Sequence, residues 1–164
     1  MKNIVLIGMP GAGKSTIGVL LAKSLLFSFV DTDLVIQSKY SMSLCEIIEK
    51  EGTNGFLGIE NDVIADCEFK NSVIATGGSA VYGEKAMQKL KEDGIVIYLS
   101  LPVSELEKRL GDIKTRGVAM PNGNTISRLY LEREPLYKKY ADITVECEGL
   151  TAEQCVDECI RLLK

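Results

Sequence analysis

Four apolar residues, Ile4-Val5-Leu6-Ile7, run directly into Gly8-Met9-Pro10-Gly11-Ala12-Gly13-Lys14-Ser15-Thr16, after which apolar residues recur at helical spacing. A G-x-x-x-x-G-K-S pattern between a strand and a helix admits few folds, because the loop must turn its backbone N–H groups inward just as the helix begins. Glycine takes the positive φ that such a turn needs, and the helix adds the positive end of its dipole at the same point. The cradle so formed suits a polyphosphate. Lys14 is spaced to reach the β- and γ-phosphates, and the Ser15 hydroxyl to ligate the Mg²⁺ that travels with them. A glycine-rich hairpin would account for the glycines but not for a lysine followed by Ser15-Thr16 at a helix start.

At 164 residues the chain fits one domain over 1–164 with a core of its own. Short apolar runs at 4–7, 28–31, 72–76, 95–99 and 143–146 read as strands buried on both faces. They alternate with helical patterns, which argues for an α/β layer structure on a parallel sheet that binds its ligands beyond the carboxyl ends of the strands. Helices are expected over 14–26 (Ile17, Leu20, Leu21, Ser24 and Leu25 facing the core), 34–40, 44–50, 56–69 and 83–93, the last closed by Gly94. Further helices follow Pro102, Thr125 (with a bend or restart at Pro135) and the capping box Thr151/Gln154. Between 111 and 124 the apolar period disappears and Gly111, Gly117, Pro121 and Gly123 punctuate a polar stretch, which reads as a mobile lid.

Composition removes several function classes. Histidine is absent, so Ser-His-Asp catalysis, Cys-His catalysis and His-based zinc sites are excluded. Phosphoryl transfer tolerates that absence, because it depends on positioning and charge neutralisation. The net charge of -4 and the lack of any basic run give no reason to expect nucleic acid or a membrane surface as partner. Five cysteines without a C-x-x-C pair indicate reduced, mostly buried thiols, and with no leader or spanning segment the expected location is cytoplasmic.

Asp31 and Asp33 stand two apart at a strand end, where extended backbone would turn both to one face. One carboxylate can then serve Mg²⁺ while the other orients an attacking hydroxyl; a pair of capping aspartates is the alternative, since a helix follows. Gly77-Gly78 would admit a ligand close to the backbone. Arg109, Arg116 and Arg133 could each be solvated cations. Arg116 is the best placed of them, on the lid, to neutralise charge on a transferring phosphoryl group.

With these pieces together the chain resembles the shikimate kinase family over essentially its whole length. The motifs that carry the resemblance are the phosphate loop at 8–16, Phe29 to Asp33 as F-x-D-x-D, the turn at Gly77-Gly78-Ser79, the lid arginine Arg116 and Arg133-Glu134-Pro135-Leu136-Tyr137. The resemblance implies a three-layer P-loop fold, a five-stranded parallel sheet in the order 2-3-1-4-5 with helices on both faces. It implies ATP-dependent phosphorylation of a small hydroxy acid with Mg²⁺, by a monomer. Gly11, Ala12, Gly13, Lys14, Ser15 and Thr16 would hold the nucleotide, with Arg109 against adenine. Ser15 and Asp31 would serve the metal; Lys14, Asp33 and Arg116 would be catalytic; Asp33, Gly77, Gly78 and Arg133 would hold the substrate, within a binding segment at about 33–61.

The departures fall on the acceptor side. Leu57 stands where the family has an arginine for the substrate carboxylate, and Ser79 where it has a third glycine. By the resemblance shikimate is the first expectation for the acceptor, and these departures open it to others. Another polyol or sugar acid is the alternative, and a nucleotide-binding regulatory module without catalysis is a third reading.

Overall fold

The computed structural model describes residues 2–110 and 125–164. Five strands, β1 (Asn3–Ile7), β2 (Ser28–Asp31), β3 (Ser72–Ala75), β4 (Gly94–Ser100) and β5 (Ile143–Glu146), form one sheet in the order β2-β3-β1-β4-β5 with all pairings parallel. β1 lies at the centre, with Val5 opposite Ile74 on one side and Val96 on the other. The helices are α1 (Lys14–Leu25), α2 (Thr32–Tyr40), α3 (Leu44–Asp66), α4 (Glu84–Glu92), α5 (Val103–Arg109), α6 (Ile126–Tyr140) and α7 (Ala152–Leu162), with a 3₁₀ turn at Ala80–Tyr82. α1 packs with α7 and α3 with α4, so the sheet is covered on both faces. The order 2-3-1-4-5 puts the phosphate loop, which leaves β1, beside the ends of β3 and β4 in the middle of the sheet.

The three inner strands are the near-continuous apolar runs that double coverage demands. Every residue of β1 and β3 is buried, and so is all of β4 but Ile95. β2 and β5 do not match the expectation of burial on both faces: β2 has no fully buried residue and β5 only Val145. They are the sheet edges, where cover tapers off. Gly94 does not close α4 either. It opens β4 and pairs with Asn3, leaving Asp93 as the helix cap.

On α1, Ile17, Gly18, Leu21 and Ala22 form the buried stripe. Ser24, expected among the core-facing residues, is exposed and bonds back to the Leu20 carbonyl. α3 merges the two helices expected at 44–50 and 56–69. The break contracts to Gly52 alone (φ 74, ψ 172), after which helical geometry resumes, and the helix ends at Asp66. That φ lies where L side chains clash, so one glycine redirects the axis without a loop. α6 passes through Pro135 without restarting.

Besides the main core, a second cluster of Ile36, Leu44, Ile47, Phe56 and Val63 ties α2 to α3. Side chains this size contribute about 1.5–3 kcal/mol each when fully buried. The cluster holds residues 33–61 together as a wall over the carboxyl ends of β1, β2 and β3.

Candidate active site

The loop between β1 and α1 takes positive φ at Gly8, Gly11 and Gly13, and Gly13 is the left-handed N-cap of α1. Lys14 sits at the first turn, buried, with Nζ donating to the carbonyls of Gly8 at 2.7 Å and Met9 at 2.8 Å. An ammonium has three donors, so one remains for an incoming phosphate oxygen. Desolvation brings the Lys14 pKa down to about 8, with Asp33 as the largest opposing influence.

Asp31 and Asp33 converge on this loop, though not through the pleat of a strand. Asp31 ends β2 and caps α2: its Oδ1 accepts from the Asp33 N–H and its Oδ2 from the Ser15 hydroxyl, both at 2.9 Å. Asp33 belongs to the first turn of the helix. Capping and site-building are therefore the same contact here. Burial, then the Asp31 charge, raises Asp33 to about 6, against the pull of Lys14. The Ser15 hydroxyl and Asp31 carboxylate are hard oxygen donors of the kind Mg²⁺ takes alongside phosphates. Among the described residues no group of three or more acidic or thiol side chains could hold a cation unaided. The fit is to a metal that arrives with its ligand.

At the end of β3, Gly77 and Gly78 are dictated by close approach. A Cβ on Gly77 would stand 2.7 Å from Asp33 Oδ1 and 2.8 Å from Glu60 Oε2; one on Gly78 would stand 3.0 Å from Arg133 Nη1. Ser79 donates to Glu60 Oε1 at 2.6 Å, while Glu60 Oε2 has no hydrogen-bond partner among the described residues. Burial lifts the Glu60 carboxyl to about 7. Arg133 is also buried, its Nε donating to the Tyr82 hydroxyl at 3.3 Å. Tyr137 stacks on Tyr98 and donates to the Gly78 carbonyl at 2.7 Å, fixing the turn.

One cavity of about 530 Å³ joins these parts, lined among others by Lys14, Ser15, Asp33, Phe56, Gly77 and Arg133. A second, of about 330 Å³, lies across the loop against Thr16, Leu150 and Cys155. Arg109 borders both and donates to the Gly11 carbonyl at 3.3 Å. The two cavities share Gly13, Thr16 and Arg109 in their walls.

The sequence model of shikimate kinase matches residues 10–164. The chain belongs to the shikimate kinase family. A shikimate kinase of Thermodesulfovibrio yellowstonii is 39% identical over 164 residues, spanning 98% of this chain and 94% of its own. One from Francisella tularensis subsp. novicida is 40% identical over 161 residues, 96% and 92% of the two chains. Among solved structures, a shikimate kinase from Acinetobacter baumannii in complex with shikimate superposes with a TM-score of 0.87 at 32% identity, over 99% of this chain and 93% of that one. The shikimate kinase of Aquifex aeolicus gives 0.81 at 32% identity, over 98% and 95%. Membership makes this chain an ATP- and Mg²⁺-dependent kinase.

Set against the motifs of the family, the structure gathers Gly11, Gly13, Lys14, Ser15, Thr16, Asp33, Gly77, Gly78, Arg109 and Arg133 around the larger cavity. Asp31 joins through Ser15, and Ala12 lines the second hollow. Arg116 and the lid expected at 111–124 lie outside the described residues. Leu57 is half-buried against the α2–α3 cluster, so the position at which the resemblance leads to the expectation of an arginine contributes to packing here. Among the described residues the cations lining the cavity are Lys14, Arg109 and Arg133. Glu60 and Tyr82 were not singled out from the sequence. Glu60 was open to detection, as a carboxylate on the apolar stripe Phe56, Val63, Ile64. Tyr82 had no local signal.

Proposed function

We propose that this chain transfers the γ-phosphoryl group of ATP to the 3-hydroxyl of shikimate. The observation that carries the reading is one cavity whose wall Lys14, Ser15, Asp33 and Arg133 share. In this reading residues 11–16 and Lys14 receive the phosphates, and Arg109 flanks the base in the second hollow. Ser15 and Asp31 would hold Mg²⁺, which when bound neutralises charge on the β- and γ-oxygens. Asp33 accepts the hydrogen bond of the attacking hydroxyl, aligns its oxygen with the γ-phosphorus and takes its proton late in the transfer. Arg133 receives the acceptor's carboxylate end-on, with the backbone of Gly77 and Gly78 beside the ring. Arg116, on a lid at 111–124, is assigned to the charge on the transferring group. All of this lies in one domain over 1–164, acting as a cytoplasmic monomer.

The position of Leu57 outside the cavity wall favours a second reading, a kinase of another polyol or sugar acid. Hydrogen bonds to a charged partner contribute about 1.5–3 kcal/mol, so one arginine in place of two makes carboxylate recognition weaker. ADP release with ATP, Mg²⁺ and shikimate, quinate or gluconate separates the readings. The expected result is the highest kcat/KM with shikimate; a higher value with either of the others moves the acceptor, and no acceptor-dependent release removes both.

A further inference from the structure

Carboxylate recognition by a single arginine depends on how firmly that arginine is aimed, and the structure contains a device for aiming it. Arg133 and Glu132 are adjacent on α6, and neighbours on a helix do not face each other. Tyr82 bridges them from the 3₁₀ turn that follows Gly77-Gly78-Ser79. Its hydroxyl donates to Glu132 Oε1 at 2.6 Å and accepts from Arg133 Nε at 3.3 Å, while its ring lies under the guanidinium, 5.4 Å from centroid to Cζ. A phenol has one proton to give. Giving it to a carboxylate orients the oxygen lone pairs toward the Nε–H and makes that oxygen a better acceptor. The guanidinium is planar, so fixing Nε and the ring contact fixes the direction of both Nη atoms. Nη1 then stands at the cavity wall, 3.0 Å from the point where Gly78 would carry a Cβ.

We propose that Tyr82, anchored by Glu132, is a positioning residue that orients Arg133 toward the carboxylate of the acceptor. The inference rests on the acceptor reading given above. It assigns to the segment after the glycine turn a part in choosing acids over neutral polyols.

Tyr82→Phe keeps the ring and its contact with the cation and removes only the hydroxyl. KM for shikimate should rise about five- to tenfold, the effect of roughly one ordinary net hydrogen bond lost indirectly through the aim of Arg133, with kcat and the KM for ATP within about twofold. Preference for shikimate over its methyl ester should fall by the same factor, because the ester lacks the charge that Arg133 reads. Glu132→Gln should shift the preference in the same direction by less. A role in packing alone would raise both KM values together and leave the acid-over-ester ratio unchanged, and that result overturns the inference. If the unmodified chain shows no shikimate-dependent ADP release, the acceptor reading itself has failed and the inference falls with it. Turnover by the unmodified chain with an unchanged ratio in Tyr82→Phe overturns the positioning role alone.

Discussion

Glu60→Gln should stabilise the protein, and by more at higher pH. Glu60 is 1% exposed, and its unpartnered Oε2 and Asp33 Oδ1 flank the same point beside Gly77. Its carboxyl is raised from 4.5 to about 7, burial being the largest cause. Between those values the folded chain keeps a proton that the unfolded chain has released. The stabilisation from this group is therefore complete below the unfolded value and lost as pH rises through the folded one. A difference of that size corresponds to about 3 kcal/mol in full, of which about 2 to 3 kcal/mol is lost between about pH 5 and pH 8. Glutamine keeps an acceptor for Ser79, does not titrate in this range and offers an amide N–H to Asp33. The advantage of Glu60→Gln over the unmodified chain, from urea unfolding followed by circular dichroism, should grow by that amount between the two pH values at unchanged m. An advantage that is the same at both would refute the reasoning, since Glu60 would then not be the group titrating.

Three further outcomes are expected. The kcat/KM for ATP should be bell-shaped in pH, rising as Asp33 ionises near 6 and falling as Lys14 loses its proton near 8; a flat profile across that window would count against both assignments. Leu26→Gly should raise stability by about 1 kcal/mol, or about 2–4 °C in Tm by calorimetry, because Leu26 holds φ 58 at the end of α1 with its side chain 92% exposed. Gly77→Ala should lower kcat/KM for the acceptor at least tenfold with KM for ATP little changed, because the new methyl must displace the Asp33 or Glu60 carboxyl; steady-state kinetics with either ligand varied reads the split.

How far the sequence could be read depended on how local each determinant is. The phosphate loop was legible because four residues at fixed spacing specify it, and the inner strands because burial on both faces leaves an unbroken apolar run. β2 and β5 were over-read, since an apolar run says nothing about its rank in the sheet. Asp31 and Asp33 lie together, but not for the reason read from strand alternation: a helix cap joins them, with the hydroxyl of Ser15 as third member. Glu60 was given no role in the site, although a carboxylate on an otherwise apolar stripe was the signal that could have assigned it one. Tyr82 could not be found at all, for its contact with Arg133 spans 51 positions of chain and exists only once the sheet has brought β3 and α6 together.

Lys14, whose two short bonds run to the carbonyls of Gly8 and Met9, has one more consequence. The charge that neutralises a triphosphate serves beforehand as an internal brace for the very ring of peptides that will surround it. Little configurational freedom is then left to surrender when the ligand arrives, which is the usual route by which preorganisation strengthens binding. The same brace means that changing Lys14 alters the empty loop as well as the loaded one, so its loss should register even in the hydrogen-exchange rates of the nucleotide-free protein.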